Sequence, residues 1–433
     1  MLNNITTDMM IQTTRRHFLS TSSLALAAFL SQNLGAHPAK KKIIILRSSW
    51  QTVNIGDIGH TPGVLTILEK YLPDSEIRLW PSSIGNGVKE ILEQRFPKVK
   101  IVNTPELVKQ AFSEGDFLLH GSGPFLVARA DVKKWREETS KPYGIYGITF
   151  PGFYGAPTQQ QIASLQSDTE LLTHAAFTFF RDSPSLDYAR AHGVKCPIME
   201  FGPDGAFAVD LRNDKLAGEF LKKKGLTPGK FLCVIPRQRY TPYWEVKSRN
   251  TPFDAFKDGK NKEMQEHDNA PLREAMMTVL DKTDLKILIC PEDETHVKLG
   301  KEVLLDKLPQ QYHNRVVWRD SYWLTDEALS TYIKSAGLFG LEMHSPIMCI
   351  GHGVPAIVCR FSEQTTKGFM WHDIGLDDWL FDMDKPDEVA RIVPAVLAMA
   401  QNPFQAKQKA LQAKKIVEGR QKATMEILGK TLT

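Results

Sequence analysis

From Lys42 onward, short runs rich in β-branched and aromatic residues alternate with longer stretches of helical periodicity. That alternation limits the fold more than any other feature. Residues 43–46, 76–80, 100–102, 117–119, 143–148 and 177–181 read as strands, and a second series covers 231–235, 286–290, 316–318, 337–341 and 356–359. Strands separated by helices need crossover connections, so they lie parallel, with helices on both faces of the sheet. The pattern predicts an α/β chain of two tandem Rossmann-like, doubly wound domains facing a central cleft. A length of 433 residues also exceeds one ordinary core. The domains are expected at 41–205 and 206–385, after an amino-terminal signal region at 1–40 and before helices at 386–433. Residues 204–227 read as the connector with a first helix. The polar segment 239–269 is too long and charged for a turn and reads as a lid or specificity loop.

The net charge of +4 is small and the basic residues are scattered, so nucleic acid is not an indicated partner. Five cysteines form no CxxC pair, and four lie in or beside apolar runs. They are expected as buried thiols, with no disulfide framework and no metal site. Near the amino terminus, Arg15-Arg16-His17-Phe18-Leu19 precedes an apolar stretch of eleven residues at most, 24–34. A stable anchor needs roughly 20. This resembles a twin-arginine export signal and predicts a periplasmic or secreted protein without a stable membrane anchor.

Thr61-Pro62, Gly123-Pro124, Ser183-Pro184 and Ser345-Pro346 each combine a small or capping residue with a proline suited to a first helical turn. They predict four helix starts beside strand ends, the edge where open α/β sheets bind ligands and favour anions. The loop Asn54-Ile55-Gly56-Asp57-Ile58-Gly59-His60 adds reactive groups to such an edge. Gly56 allows close approach, Asn54 offers an amide, and Asp57 can serve as an acid, a base or a hydroxyl acceptor. Gly121 and Ser122 sit in a GxG that lacks the third glycine of a dinucleotide fingerprint, so no nicotinamide cofactor is inferred. Arg237 and Arg239 follow a strand end and could clamp a carboxylate or phosphate. In Glu342-Met343-His344-Ser345-Pro346, alternation sends Glu342 and His344 to one side, before a helix end that favours neutral imidazole. His296 and His352 read as structural. Tyr240, Tyr243 and Trp244, with Trp371 and Trp379, offer rings on which a sugar could stack.

Taken in order, Asn54-Ile55-Gly56-Asp57, Gly121-Ser122-Gly123, Arg181-Asp182-Ser183-Pro184-Ser185, Asp204-Gly205-Ala206-Phe207, His344, Gly353-Val354-Pro355 and Lys367 resemble the polysaccharide pyruvyl transferase family. The resemblance implies a GT-B-like fold and transfer of pyruvate from phosphoenolpyruvate to the hydroxyls of a polysaccharide or oligosaccharide, with no bound cofactor. It casts His344 as the acid-base group and arginines as donor ligands. Two positions before that histidine the family usually carries arginine; here stands Glu342. A carboxylate there would repel the anionic donor: with an effective dielectric near 20, two like charges about 4 Å apart cost about 4 kcal/mol. An exported chain would also not meet cytosolic phosphoenolpyruvate. Two alternatives follow. One is a glycan hydrolase or depyruvylating enzyme that pairs Asp57 with Glu342 and uses His344 as an assistant. The other is a non-catalytic glycan-binding protein.

Overall fold

Each anticipated run becomes a strand, and two short edge strands join them. The first sheet contains β1 (Ile43–Ser48), β2 (Glu76–Pro81), β3 (Lys100–Ile101), β4 (Phe117–His120), β5 (Tyr143–Ile148), β6 (Thr178–Phe180) and β7 (Met199–Phe201). The second contains β8 (Phe231–Ile235), β9 (Lys286–Ile289), β10 (Val316–Trp318), β11 (Gly337–Gly340), β12 (Ala356–Arg360) and β13 (Leu380–Asp382). This computed structural model describes residues 41–153 and 158–433, so Arg15 and Arg16, which carry the export expectation, lie outside the described residues.

Both sheets are parallel throughout, in the orders β3-β2-β1-β4-β5-β6-β7 and β10-β9-β8-β11-β12-β13. Each order reverses beside its first strand, between β1 and β4 and between β8 and β11, which opens a crevice at the strands' carboxyl ends. β1 and β8 are buried along their whole length. Helices cover both faces there, so the strands read as continuous apolar runs rather than alternating ones. β7 and β13, the two strands not anticipated, are three residues each at the sheet edges, too short to leave a periodic signal.

Local signals misplaced several helix starts. The helix expected at Thr61-Pro62 begins at Ile55 and runs to Tyr71, with Pro62 inside it, because the Asn54 side chain caps the amides of Gly56 and Asp57. Thr61 instead accepts the Ser49 amide at 2.7 Å, which ties this helix to the end of β1. No helix begins at Gly123-Pro124; the next one is Arg129–Thr139. Ser183–Ala191 does start as expected, with Asp182 as its cap. His344–Gly351 starts one residue before Ser345. Segment 239–269 is only partly a loop: its second half belongs to the 28-residue helix Ala255–Lys282.

The carboxyl-terminal helices Ile392–Gln401 and Pro403–Leu432 link the two sheets. Ile392–Gln401 lies on Ala255–Lys282 of the second domain, whereas Pro403–Leu432 crosses back to Ile55–Tyr71. There Arg420 donates to the Phe201 carbonyl at 3.1 Å, and the Tyr71 hydroxyl reaches the Glu418 carbonyl at 3.4 Å. The five cysteines are buried and unbridged. No described helix is long and apolar enough to cross a membrane.

Candidate active site

The site begins with the capped first turn of helix Ile55–Tyr71. Asn54 has extended backbone, φ −133° and ψ 125°, and its Oδ1 accepts Gly56 N at 2.8 Å and Asp57 N at 3.2 Å. Asp57 and His60 follow three residues apart on one helical face. The His60 Nε2 and Asp57 Oδ1 are 3.9 Å apart. The helix can pass close to the loop after β7 because position 63 is glycine: a Cβ there would fall 1.9 Å from the Gly205 carbonyl oxygen.

That approach puts Asp204 behind His60. The His60 Nδ1 lies 2.8 Å from Asp204 Oδ1 and 2.9 Å from the Ser122 hydroxyl, which itself donates to Asp204 at 3.2 Å. Asp204 also accepts the Ala206 amide at 2.9 Å and Arg181 Nη1 at 2.7 Å. Burial pushes the Asp204 carboxyl up, but its hydrogen bond with His60 and the Arg181 guanidinium outweigh it and hold the group well below the usual carboxylate range. An ionised carboxylate only accepts, so the His60 proton is on Nδ1. Among the described residues its Nε2 is left buried without a hydrogen-bond partner.

The second domain supplies a matching unit. His344 opens helix His344–Gly351, and its Nδ1 lies 3.1 Å from Glu292 Oε1. The other oxygen of Glu292 accepts the Ser345 amide at 2.7 Å and the Ser345 hydroxyl at 2.6 Å. Burial drives the imidazole well below its ordinary pKa, and the nearby Lys367 ammonium adds to that, so His344 is neutral at pH 7. Its Nε2, too, is buried without a partner. The Ile55 amide donates to the Glu292 carbonyl at 3.0 Å, and the Thr325 hydroxyl to the Ile55 carbonyl at 2.8 Å, so both backbone groups of Ile55 are fastened to the second domain. The His60 and His344 rings meet edge to face with centroids 5.0 Å apart. One ligand atom each of Asp57, His60 and His344 lies within 4.8 Å of the others.

Charged residues surround this centre. Glu342 is buried and ion-paired to Arg237 Nη1, with His296 Nε2 at 3.6 Å. The expected repulsion of an anionic donor by Glu342 is therefore corrected: its charge is already matched by a guanidinium. The carboxylate of His344 is Glu292 and not Glu342, because the alternation stops when β11 ends at Gly340. A role for Glu342 as half of a hydrolytic carboxylate pair is not supported either. Lys367 makes no hydrogen bond or ion pair among the described residues; burial pulls its ammonium below the ordinary value, against the opposing Glu342 carboxylate. Tyr243 is half-buried, and burial together with the Asp57 charge raises its phenol.

Other anticipated residues stand apart from the convergence. Arg239 is buried between Asp268 at 2.9 Å, Glu363 at 3.2 Å and Asp384 at 2.7 Å, so it braces the second domain and is not available as a donor clamp. Asn54 caps a helix and Ser122 backs His60. Gly121 packs against β1, where a Cβ would meet Ser48 Oγ at 2.7 Å. Trp371 and Trp379 are buried in the core, the first donating to the Ala356 carbonyl at 3.2 Å, so neither offers a face to a sugar. Trp244 is half-buried against Phe253. His352 donates to the Val209 carbonyl, a structural role. His296, also expected to be structural, has its Nε2 3.6 Å from Glu342. Sequence reasoning missed His60 as a partner of His344, and it missed Asp204, Arg181 and Glu292 as supports. Glu292 lies three residues past the end of β9, a strand-end position like the one that singled out Arg237.

A family model described as polysaccharide pyruvyl transferase matches residues 54–363. No curated protein matches the chain. Among solved structures, a protein of Listeria monocytogenes described as a candidate UDP-N-acetylglucosamine 2-epimerase is 12% identical with a TM-score of 0.58, covering 89% of this chain and 95% of that one. Anabaena HepE in complex with UDP and glucose is 11% identical with a TM-score of 0.53, covering 90% and 99%. Phytolacca americana UGT2, complexed with UDP-2-fluoro-glucose and pterostilbene, is 12% identical with a TM-score of 0.51, covering 90% and 100%. At such identities the likeness shows the fold alone, a GT-B-like pair of Rossmann-like domains.

Proposed function

The chain belongs to the polysaccharide pyruvyl transferase family, and from that premise we propose that it builds a pyruvate ketal on a polysaccharide or oligosaccharide with phosphoenolpyruvate as donor. Forming the ketal joins two sugar oxygens to C2 of the donor. One hydroxyl proton goes to the donor's methylene carbon, the other leaves with phosphate, and no redox step or bound cofactor is required. The observation that carries this reading is the convergence of Asp57, His60 and His344 from opposite domains, with the Nε2 of each histidine buried and without a hydrogen-bond partner among the described residues. The acceptor hydroxyl is activated at that point. Lys367, a cation without a hydrogen-bond or ion-pair partner among the described residues, receives the donor's charge, and the adjacent Arg237, whose Nε is likewise unpaired there, serves the same purpose. Tyr243 and Trp244 flank the acceptor sugar.

Arg15 and Arg16 support delivery of the folded chain to the periplasm by the twin-arginine route. Phosphoenolpyruvate has to be supplied across the inner membrane there, so the donor requirement is the first part of the reading to test. The purified protein is incubated with phosphoenolpyruvate and with plain or pyruvylated polysaccharides, while phosphate, pyruvate and reducing ends are followed. Phosphate release that depends on a plain glycan is expected. Reducing ends or pyruvate without phosphate would replace transfer by hydrolysis.

A further inference from the structure

Each histidine of the centre is arranged as metal-binding histidines are. Its Nδ1–H is held by a buried carboxylate, Asp204 at 2.8 Å for His60 and Glu292 at 3.1 Å for His344. This leaves Nε2 as the ligand atom and fixes the ring plane. Both Nε2 atoms are buried and lack a hydrogen-bond partner, although the residues carrying them are only 0% and 6% exposed. A buried polar atom with nothing to bind costs about 1–3 kcal/mol, and here the two histidines that carry such atoms stand with the Asp57 carboxylate in a set whose ligand atoms lie within 4.8 Å of one another. We propose that Asp57, His60 and His344 hold one divalent transition-metal ion of the zinc class.

Three further observations agree. The first is charge: Asp204 is matched by Arg181, and Glu342 by Arg237. Among the described residues, Asp57 and Glu292 are ion-paired to no lysine or arginine, only to His60 and His344, and the buried Asp293 Oδ2 has no hydrogen-bond partner. The neighbourhood is short of positive charge. The second is spacing. Bonds of about 2.0–2.1 Å place tetrahedral ligand atoms roughly 3.3 Å from one another, and Asp57 Oδ1 and His60 Nε2 stand 3.9 Å apart, within a set that spans at most 4.8 Å. A small side-chain rotation closes the difference. The third is ligand type, since two imidazoles and one carboxylate suit zinc or cobalt far better than magnesium or calcium. Three protein ligands also leave the fourth position open, as in catalytic zinc sites. An oxygen of the substrate would fill it and be polarised by the ion. His60 and His344 would then act through the metal, with Asp204 and Glu292 as positioning residues. The ion belongs to the same centre as the proposed transfer, yet it is inferred from coordination geometry and not from the reaction.

The test uses the full chain, stripped with a chelator and titrated with Co²⁺. One ion per chain is expected, with visible absorption bands of low-coordinate cobalt, displacement by Zn²⁺ and a higher unfolding temperature with either metal. Asp57→Asn and His60→Gln weaken binding at least about a hundredfold, while Glu292→Gln, which keeps all three ligands, weakens it by about tenfold to a hundredfold. Unfolding of each variant in chelator shows whether it is folded. Absence of a stoichiometric site in the unmodified protein overturns the proposal, as does equal affinity in folded Asp57→Asn and His60→Gln. No substrate enters this experiment. Its failure leaves the transferase reading standing, and a donor that is never consumed by a protein with a tight cobalt site overturns only that reading.

Discussion

At Gly56 the two domains pass close to one another, and Gly56→Ala is a direct probe of the centre. A Cβ at this position would fall 2.1 Å from Cβ and Cγ of His344 and 2.3 Å from its Nδ1. Carbon atoms in contact prefer about 3.5–4.0 Å, so one side has to retreat by roughly 1.5 Å. Neither can do so cheaply. Ile55 is fastened to Glu292 at 3.0 Å and to Thr325 at 2.8 Å, and His344 is the first residue of its helix, with its ring on Glu292. Overpacking of this kind costs about 1–3 kcal/mol. Gly59→Ala, one turn along the same helix, is the internal control, because its Cβ would meet Ala206 Cβ at 3.7 Å and Met348 Sδ at 3.8 Å, ordinary contacts. The helix-propensity gain of about 1 kcal/mol from glycine to alanine is common to both and drops out of the comparison. At roughly 2.1 cal/mol/K per residue the unfolding entropy of such a chain is about 0.8 kcal/mol/K, so Gly56→Ala should unfold about 1–4 °C below Gly59→Ala. Displacing His344 by more than an ångström should also lower glycan-dependent phosphate release about a hundredfold, whereas Gly59→Ala keeps it. Equal rates and equal unfolding temperatures for the two variants would refute the close approach of the domains.

The remaining predictions concern charge. Glu342→Arg sets a second guanidinium against Arg237 in place of its buried partner, so it should destabilise the chain by roughly 3–5 kcal/mol and not improve donor binding, as chemical unfolding and a donor titration will show. Lys367→Ala should raise the KM for phosphoenolpyruvate by at least about tenfold, the loss of an unpaired cation near an anion. Arg239→Met strands three carboxylates, Asp268, Glu363 and Asp384; it should lower stability by a similar 3–5 kcal/mol with an unchanged donor KM in the fraction that folds. Burial, helped by the Arg47 charge, lowers His120 from its ordinary 6.5 to about 3. The unfolded chain therefore binds a proton in that window and the folded one does not. Stability from this residue is complete above about pH 6.5 and falls by up to about 1.4 kcal/mol per pH unit towards pH 3. Replacing His120 with Asn should flatten that part of the acid-unfolding curve, and an unaltered curve would show that the histidine is not held neutral.

Much of the fold was legible because its determinants are local. A strand buried on both faces needs a continuous apolar run, and 43–46 and 231–235 are such runs wherever the chain goes afterwards. Helix starts were harder, since proline at 62 and at 124 looks alike in sequence, yet one sits inside a helix and the other starts none. What decided the first case was a stronger cap at Asn54. The site was legible only in halves. Asp57 and His344 could be singled out, each at a strand end, but the carboxylate of His344 was assigned to Glu342 by extending strand alternation past the end of β11. Its actual partner lies 52 residues upstream, and that of His60 lies 144 residues downstream. No periodicity reports a contact across such a separation. Arg239 failed for a related reason: an arginine after a strand looks the same whether its carboxylates belong to a ligand or to the protein.

The cost of the centre bears on why it is there. Asp204, Glu292, Glu342 and Asp293 are all 1% exposed or less, and each had to be desolvated. Pairing a buried carboxylate with a guanidinium or an imidazole usually does little more than offset that penalty, and packed apolar side chains of similar volume would often be as stable or better. The pairs Arg181–Asp204 and Arg237–Glu342 are therefore poor candidates for stabilising the fold. Their effect is positional. Asp204 and Glu292 each fix one imidazole's proton on Nδ1, and the two imidazoles so held come from different domains and converge beside Asp57. A core selected for stability alone would not leave two Nε2 atoms without a partner. It follows that replacing His60, Asp204 and Arg181 together by apolar residues should remove binding and catalysis with a smaller loss of stability than Asp204→Ala alone, which abandons the Arg181 charge in the interior. Chemical unfolding of the two variants measures this directly, and a triple variant less stable than the single one would mean that the network holds the fold together after all.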